Sequence, residues 1–209
     1  MVKIAVADNY PVVHFGLNSF FKDNTAIKIV ANLYQLIDVY DYLKTNPVDV
    51  LLIDLNLTGL DSVLELKNCI KEFPATKILI YSDYSEKMFA PNSIKVGALG
   101  YVHKSDKLEF LSNAIQRVNH GETVLKESIR RSLTILNNTP KSERSHRKLS
   151  TRELEVLRYL SDGKKNAEIA VLLGLNEKTV STYKMRLQIK LNVTNLLDLV
   201  NKAKTLETY

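Results

Sequence analysis

Five polar side chains stand directly after short apolar runs in the first half of the chain. They are Asp8 and Asn9 after Lys3–Ala7, Asp54 after Val48–Ile53, Ser82 after Lys77–Tyr81 and Lys104 after Gly100–His103. Carboxylate and amide oxygens suit Mg²⁺, and a carboxylate can attack a phosphoryl group as a nucleophile. A lysine and a hydroxyl can hold phosphoryl oxygens. The set predicts metal-assisted phosphoryl transfer to a carboxylate, provided that the fold brings the five residues together.

The apolar runs themselves predict how these residues are positioned. Short apolar runs bounded by turn residues are typical of buried parallel strands. Between them, apolar residues recur at helical spacing, as in Val13, Leu17 and Phe20. This alternation predicts a parallel sheet covered by helices, with the polar residues together at the carboxyl edge of the sheet. One connection, 83–98, contains Pro91, which we expect to kink or delay its helix.

The motifs, in this order, resemble the receiver domain of bacterial two-component response regulators. The matching residues are Asp8-Asn9-Tyr10-Pro11, Asp54-Leu-Asn-Leu-Thr-Gly59, Ser82 and Gly100-Tyr-Val-His-Lys104. The resemblance implies an α/β, flavodoxin-like receiver domain with a five-stranded parallel sheet over residues 1–122. It implies that Asp54 accepts a phosphoryl group from a histidine kinase. It also implies Mg²⁺ held by Asp8, Asp54 and the Asn56 backbone carbonyl, phosphoryl binding by Lys104, and a switch pair of Ser82 and Tyr101.

Four positions depart from the receiver pattern. Asn9 replaces a carboxylate, so we expect it to be a weak metal ligand without charge. Asp83 follows Ser82 where a small residue is usual, and its carboxylate could repel the phosphoryl group or replace the lost ligand. Thr58 and Ser62 replace proline and glycine, which we expect to matter less. We therefore expect Asp54 to be phosphorylated slowly, or only by a cognate kinase.

The net charge of +6 lies entirely in the last third of the chain. Residues 1–136 carry 15 Lys and Arg and 15 Asp and Glu residues, whereas residues 137–209 carry 14 and 8. A neutral domain followed by a basic one predicts a polyanion as the partner of the second. Between them we expect a linker over 123–147 that includes one helix, about Lys126–Leu136. Residues 137–148 contain no apolar side chain, which is typical of linkers.

The segment 148–209 predicts a small all-α domain with a helix-turn-helix. Ser150-Thr-Arg-Glu153 is a capping box, and the turn Gly174-Leu175-Asn176 joins two helical patterns. The segment resembles the LuxR-type module of NarL/FixJ response regulators, through Leu149–Leu157, Gly163–Ala170, Asn176–Lys184 and Lys190–Val193. The resemblance implies binding to double-stranded DNA, and a last helix that forms a homodimer in the active state.

Helix 177–191 of this segment carries the predicted DNA contacts. By the resemblance, Ser181, Thr182 and Met185 occupy base-facing positions. Small polar side chains can bond to either base type, and a methionine can touch a thymine methyl group. Phosphate contacts, which position without specifying sequence, are predicted for four further residues: Lys178, Thr179, Lys184 and Lys190.

Composition restricts the class of protein further. The single cysteine excludes an internal disulfide framework and fits a reducing compartment. The first residues do not form a signal peptide, and no apolar stretch reaches membrane-spanning length. We therefore expect a soluble, cytoplasmic regulator that is not an enzyme.

Two alternatives to a phosphorylation-controlled transcription regulator remain open. In the first, Asn9, Asp83 and Pro91 mark a degenerate receiver, and the regulator binds DNA without phosphorylation. In the second, Asp54-x-Asn56-x-Thr58 resembles the Asp-x-Asp-x-Thr loop of haloacid-dehalogenase-type phosphatases. That alternative is remote, because an asparagine cannot transfer the proton that the second aspartate transfers.

Overall fold

The computed structural model describes residues 1–60, 63–127, 129–131, 149–191, 193 and 195–207. Strands and helices alternate through the first unit and only helices follow residue 149. The elements in chain order are β1 Val2–Ala7, α1 Pro11–Phe21, β2 Ile27–Leu33, α2 Leu36–Leu43, β3 Val50–Ile53, α3 Val63–Glu72, β4 Lys77–Ser82, α4 Glu86–Val96, β5 Gly100–His103, α5 Leu108–Asn119, α6 Thr151–Ser161, α7 Asn166–Leu173, α8 Glu177–Leu191 and α9 Leu196–Glu207.

The five strands form one parallel sheet in the order β2-β1-β3-β4-β5. All four residues of β3 are buried, because a central parallel strand has helices on both of its faces. The register pairs Ala7 of β1 with Ile53 of β3, and Ser82 of β4 with His103 of β5. The polar residues that follow these strands therefore emerge at the same edge of the sheet. This confirms the predicted α/β architecture with a five-stranded parallel sheet.

The helices of the first unit bury most of their predicted apolar residues, but Phe20, predicted in one stripe with Val13 and Leu17, is 37% exposed. Leu17 and Phe21 of α1 join Leu111 and Ile115 of α5 in the core against the sheet. Helix α4 begins at Glu86 and runs through Pro91 to Val96, so the expected delay of this helix is wrong. Proline lacks the N–H that would bond to the Lys87 carbonyl and its ring crowds that carbonyl, but burial of Ala90 offsets this cost.

The helices after residue 149 pack around a separate core, which includes Leu157, Ile169, Val180, Leu187 and Leu199. The contacts divide the chain into two units: one comprises Met1–Glu86 and Ala90–Lys126, and the other comprises Lys87–Phe89 and the residues from Glu127 onward. The boundaries 1–122, 123–147 and 148–209 stay predictions, since most of the linker lies outside the described residues, as does Ser62. Within the described residues, no helix has both the length and the apolarity needed to cross a membrane.

Candidate functional site

Two buried carboxylates and one ammonium group meet at the carboxyl edge of the sheet. Lys104 Nζ lies 2.7 Å from Asp8 Oδ2 and 2.7 Å from Asp54 Oδ2. Both aspartates are only 1% exposed. Ser82 Oγ donates a hydrogen bond of 2.6 Å to the other oxygen of Asp54. The structure thus brings together four of the five residues that the sequence singled out, and it surrounds Asp54 with groups that can hold a phosphoryl oxygen.

The electrostatics of this cluster favour a further cation. Burial alone would lower the pKa of Lys104, but the Asp54 and Asp8 carboxylates outweigh burial and raise it. Lys104 is therefore a permanent cation that offsets only one of the two negative charges. Asp8 Oδ1 accepts a hydrogen bond from the Tyr10 backbone N–H, and the buried Asp8 Oδ2 is bound by Lys104 Nζ at 2.7 Å. Such an oxygen fits a divalent cation.

Asn9, the predicted weak metal ligand, has protein partners at both ends of its carboxamide. Its Nδ2 donates to the Asn56 backbone carbonyl at 2.6 Å, and its Oδ1 accepts from the Thr58 backbone N–H at 2.9 Å and from the Thr58 hydroxyl at 3.1 Å. The expected weak metal ligand is thus committed to the loop after β3. It also covers the Asn56 carbonyl, which the resemblance assigns to the metal. Thr58, which we expected to matter little, is its main partner.

The two residues of the predicted switch pair are both buried, and they share a side-chain hydrogen bond in addition to their separate partners. The Tyr101 side chain is fully buried, and its hydroxyl donates 2.7 Å to the Tyr84 backbone carbonyl in the loop between β4 and α4. Burial raises the pKa of Tyr101 well above its ordinary value. Ser82 is bonded to Asp54. Ser82, which binds Asp54, and Tyr101, which binds the loop between β4 and α4, are thus linked through the three residues of that loop.

The Asp83 side chain is exposed at the rim of the site, outside the buried cluster. Its backbone carbonyl lies 2.9 Å from His103 Nε2, which links the loop after β4 to the end of β5. An exposed carboxylate is screened by solvent. The Asp83 charge nevertheless contributes to the raised pKa of the buried Tyr101, and repulsion of a phosphoryl group or replacement of a metal ligand stays a prediction.

Sequence reasoning missed two tyrosines at the site. Lys104 Nζ lies 5.3 Å from the centroid of the Tyr10 ring, within the range of a cation–π interaction. The Tyr84 hydroxyl lies 3.4 Å from Asn56 Oδ1. Tyr10 could have been found from its place within the Asp8-Asn9-Tyr10 motif. Tyr84 carries no sequence signal, because only the packing of the loop after β4 brings it to Asn56.

The predicted DNA-reading surface lies on α8. Val180 and Leu187 are fully buried in the core of the second unit. Lys178 and Ser181 are exposed, and Met185 is 55% exposed. Thr182 and Lys184 are partly exposed. This helix therefore has one face in the core and another that presents short polar side chains, a methionine and lysines, as a helix that enters the major groove requires.

Two of the predicted phosphate contacts have partners within the protein. Thr179 donates both its backbone N–H and its hydroxyl to Asn176 Oδ1, which caps α8. Lys190 Nζ lies 2.8 Å from Glu153 Oε2, and Glu153 is 3% exposed. Burial alone would raise the pKa of Glu153, but bonds from Lys190 and from Ser150 lower it overall. The phosphate contact of Lys190 stays a prediction, and in the structure Lys190 also stabilises the fold of the second unit through this ion pair.

Arg186 is a further candidate on α8 that the sequence reasoning missed. It is exposed, and its guanidinium lies 5.8 Å from the centroid of the Tyr183 ring. It follows Thr182 by four residues, so both lie on the same face of the helix. An arginine in this place can bind guanine or phosphate. The sequence could have indicated Arg186, because it directly follows Met185 and lies on a helix where other exposed residues were already assigned to DNA.

Two protein-family models match the chain, and together they cover both units. The response regulator receiver domain matches residues 4–116. The bacterial regulatory proteins of the luxR family match residues 147–203. The phosphatase alternative receives no support, since its acid/base position is held by Asn56 and the receiver match includes residues of all five strands.

Relatives and solved structures agree along nearly the full length of the chain. The fimbriae Z protein of Salmonella typhimurium is 32% identical over 206 residues, which are 98% of this chain and 97% of that protein. The oxygen regulatory protein NreC of Staphylococcus carnosus is 31% identical over 209 residues, covering 97% and 96%. A structure of the RcsB response regulator of Salmonella typhimurium, determined for its conformational dynamism in DNA interaction, matches with a TM-score of 0.80, 25% identity and 98% coverage of both chains.

Proposed function

The chain belongs to the response regulators that join a receiver domain to a LuxR-type DNA-binding domain, and we propose that phosphorylation of Asp54 controls DNA binding by α8. Its class fixes the general role, which is transcription regulation in a two-component system. The observation that carries the proposal for Asp54 is its burial between Lys104 Nζ and Ser82 Oγ at the carboxyl edge of the sheet.

In the proposed reaction, an oxygen of the Asp54 carboxylate attacks the phosphorus of a phosphohistidine on the kinase. A P–O bond forms, the P–N bond breaks, and the electron pair of that bond returns to the kinase imidazole. Lys104 supplies a fixed positive charge to the transferred group, and Ser82 supplies a hydroxyl. When bound, Mg²⁺ would offset charge on the phosphoryl oxygens. Asp8 and Asp54 would hold it, together with the Asn56 carbonyl once Asn9 has released that oxygen.

We expect DNA binding to depend on how the receiver is distributed between two conformational states. A phosphoryl group on Asp54 competes for Ser82 and Lys104, which now bind the carboxylate itself. Rearrangement of these partners shifts the receiver toward a second state, which frees or dimerises the DNA-binding domain. Ser181, Thr182 and Met185 would then meet bases, while Lys178, Thr179 and Lys184 would meet phosphates. A homodimer on DNA and a cytoplasmic location belong to the same proposal.

Intact-mass spectrometry tests the acceptor. We expect the wild-type chain to gain one phosphoryl mass on incubation with Mg²⁺ and either a small phosphodonor or the cognate kinase. Asp54→Ala should gain none, because the nucleophile is gone. Asp41→Asn, which removes an exposed carboxylate on α2, should behave like the wild type. Absence of the mass from the wild type, even with the cognate kinase, would refute the proposal.

A second candidate is a regulator that binds DNA without phosphorylation. One observation favours it: the Asn56 backbone carbonyl, which the receiver pattern assigns to the metal, accepts a hydrogen bond from Asn9 Nδ2. The DNA affinity of the wild type, with and without phosphodonor, separates the candidates. An affinity that rises with phosphodonor, and does so only while Asp54 is present, supports control by phosphorylation. Equal affinities in all cases support the second candidate.

A further inference from the structure

The Asn9 carboxamide binds the loop after β3 at both of its ends. Nδ2 faces a carbonyl oxygen, which can only accept, and Oδ1 faces the Thr58 backbone N–H, which can only donate. The partners therefore fix the orientation of the amide. A flip would place Oδ1 against the Asn56 carbonyl oxygen and Nδ2 against the Thr58 N–H. Asn9 thus connects the end of β1 to residues 56 and 58, three bonds in all with the Thr58 hydroxyl.

Thr58 extends this connection beyond the site. Its backbone carbonyl accepts a hydrogen bond of 2.8 Å from the Leu36 N–H at the start of α2. The residue is thus held on one side by Asn9 and on the other by α2. A proline, which the receiver pattern has at this position, could not form the bonds to Asn9, because it has neither a backbone N–H nor a hydroxyl. A carboxylate in place of Asn9 could not donate to the Asn56 carbonyl.

The two departures from the receiver pattern are therefore chemically complementary. We propose that Asn9 and Thr58 form a clamp that holds the loop after β3 without a metal and competes with the cation for the Asn56 carbonyl oxygen. Asn9 is then a positioning residue and not a ligand. The inference rests on the proposed function, because it assumes that a divalent cation serves phosphorylation of Asp54.

The clamp has opposite consequences for the metal-free and the metal-bound protein. Without metal, the three bonds stabilise the loop. With metal, the short bond from Asn9 Nδ2 must break before the Asn56 carbonyl can turn to the cation, so the clamp lowers the affinity for Mg²⁺. A ligand role for Asn9 predicts the reverse, because loss of a ligand lowers affinity. Truncation of the side chain therefore distinguishes the two roles by the sign of its effect.

Calorimetric titration of the full chain with Mg²⁺, and thermal unfolding in EDTA and in Mg²⁺, provide the test. Asn9→Ala removes all three bonds without adding charge. We expect its Tm in EDTA to fall by about 5 °C and its affinity for Mg²⁺ to rise about fivefold. Asn9→Asp removes the competing N–H and adds a ligand with charge. We expect it to lose stability in EDTA, to bind Mg²⁺ more than tenfold more tightly, and to gain more Tm from Mg²⁺ than the wild type gains.

Thr58→Ala tests the other half of the clamp. It removes the hydroxyl bond and keeps the backbone N–H, so its effects should have the same signs as those of Asn9→Ala and smaller size. Asn46→Asp is the matched control. Asn46 Nδ2 also donates to a backbone carbonyl, that of Tyr42, at 3.0 Å, but Asn46 precedes β3 at the opposite edge of the sheet. The same charge change there should leave the affinity for Mg²⁺ unchanged.

Three results would overturn the clamp. They are a lower affinity for Mg²⁺ in Asn9→Ala, equal changes of affinity in Asn9→Asp and Asn46→Asp, and a Tm in EDTA that Asn9→Ala leaves unchanged. None of these measurements involves phosphorylation, so the two proposals fail separately. Differing Mg²⁺ affinities without a phosphoryl mass on Asp54 would support the clamp and refute the proposed function. Phosphorylation of Asp54 with identical Mg²⁺ affinities in all variants would support the proposed function and refute the clamp.

Discussion

At the scale of single residues, Lys104 holds the receiver site together. It is the cation between two carboxylates that are almost completely buried. Carboxylates at such short range from one another need a positive charge between them, because their repulsion is strong where water is excluded. The same ammonium group is the one that would meet the transferred phosphoryl group, so stability and function depend on one side chain.

We expect Lys104→Met to lower the free energy of unfolding of the receiver domain by about 3 kcal/mol in EDTA, because two buried carboxylates lose their partner. Denaturant unfolding measures this change. The control is Lys44→Met, which breaks an exposed ion pair with Asp41 and should cost less than about 0.5 kcal/mol. Similar losses in both variants would contradict a special role for the buried pair.

Gly100, the first residue of β5, has no room for a side chain. A Cβ at this position would lie 2.6 Å from Leu79 Cδ1 and 3.1 Å from the Val124 carbonyl oxygen. We expect Gly100→Ala to destabilise the receiver domain by about 2 kcal/mol in denaturant unfolding, as overpacked core positions do. Gly16→Ala, within helix α1 and with no atom within 4 Å of the new Cβ, should instead stabilise it by about 0.5–1 kcal/mol. Equal effects would show that packing at β5 is not the cause.

At the scale of elements, the start of α6 is linked to the end of α8. Ser150 and Glu153 form a capping box at the start of α6, and Glu153 also receives Lys190 from the last turn of α8. The capping box, predicted from four consecutive residues, thus has a second role that no local pattern indicates. It ties the helix that carries the candidate DNA contacts to the first helix of its domain.

This link predicts a dependence of stability on pH. The pKa of Glu153 is lowered in the folded state, so its contribution is present above the unfolded value of 4.5 and is lost as pH falls through the folded value. We expect Glu153→Gln to destabilise the second unit at pH 7 by about 1 kcal/mol, and this difference to shrink below about pH 4.5. Thermal unfolding at a series of pH values measures it. A difference that is independent of pH would contradict the ionised pair.

Glu168→Gln is the matched control for this experiment. Glu168 occupies the corresponding position in α7, where it accepts the Lys165 backbone N–H, but it is exposed. The glutamine can keep that bond, so we expect almost no difference from the wild type at any pH. The comparison isolates the contribution of the buried carboxylate from that of the cap.

At the scale of the whole molecule, the charge is divided as the two functions require. Residues 1–136, which include the receiver, carry no net charge, and the excess of six positive charges follows residue 136. This first part of the chain does not itself attract DNA, whereas a basic second domain gains affinity from the release of counterions. The lysines of α8 are not equally available for contacts with DNA phosphates, since Lys190 is paired with Glu153.

We therefore expect Lys184→Ala to weaken binding to every DNA sequence and to reduce the slope of log affinity against log salt by about one. Lys190→Ala should reduce that slope less than Lys184→Ala does and should lower the stability of the second unit, because its ammonium group is bound to a buried carboxylate. Affinity at several salt concentrations measures both. An unchanged slope in Lys184→Ala would remove this residue from the phosphate contacts.

The sequence by itself determined the sheet, the helices and the edge at which the polar residues meet. Buried runs and helical spacing are local properties, and parallel strands that end together place Asp8, Asp54, Ser82 and Lys104 at one edge whatever their further contacts are. The resemblance added the reaction and the assignment of α8 to DNA. At Pro91 the predicted delay of the helix is wrong, because tertiary burial outweighs the loss of one helical hydrogen bond, and the predicted kink stays a prediction.

Only the tertiary structure decided what the polar side chains bind. Asn9 and Thr58 are 49 residues apart, and Glu153 and Lys190 are 37 apart. An asparagine in an acidic motif predicts a weak ligand, and a lysine on a DNA-binding helix predicts a phosphate contact. In the structure both side chains meet protein groups, because a hydrogen bond or an ion pair depends on positions to within fractions of an ångström. Such positions are set by the packing of distant elements and not by the type of residue.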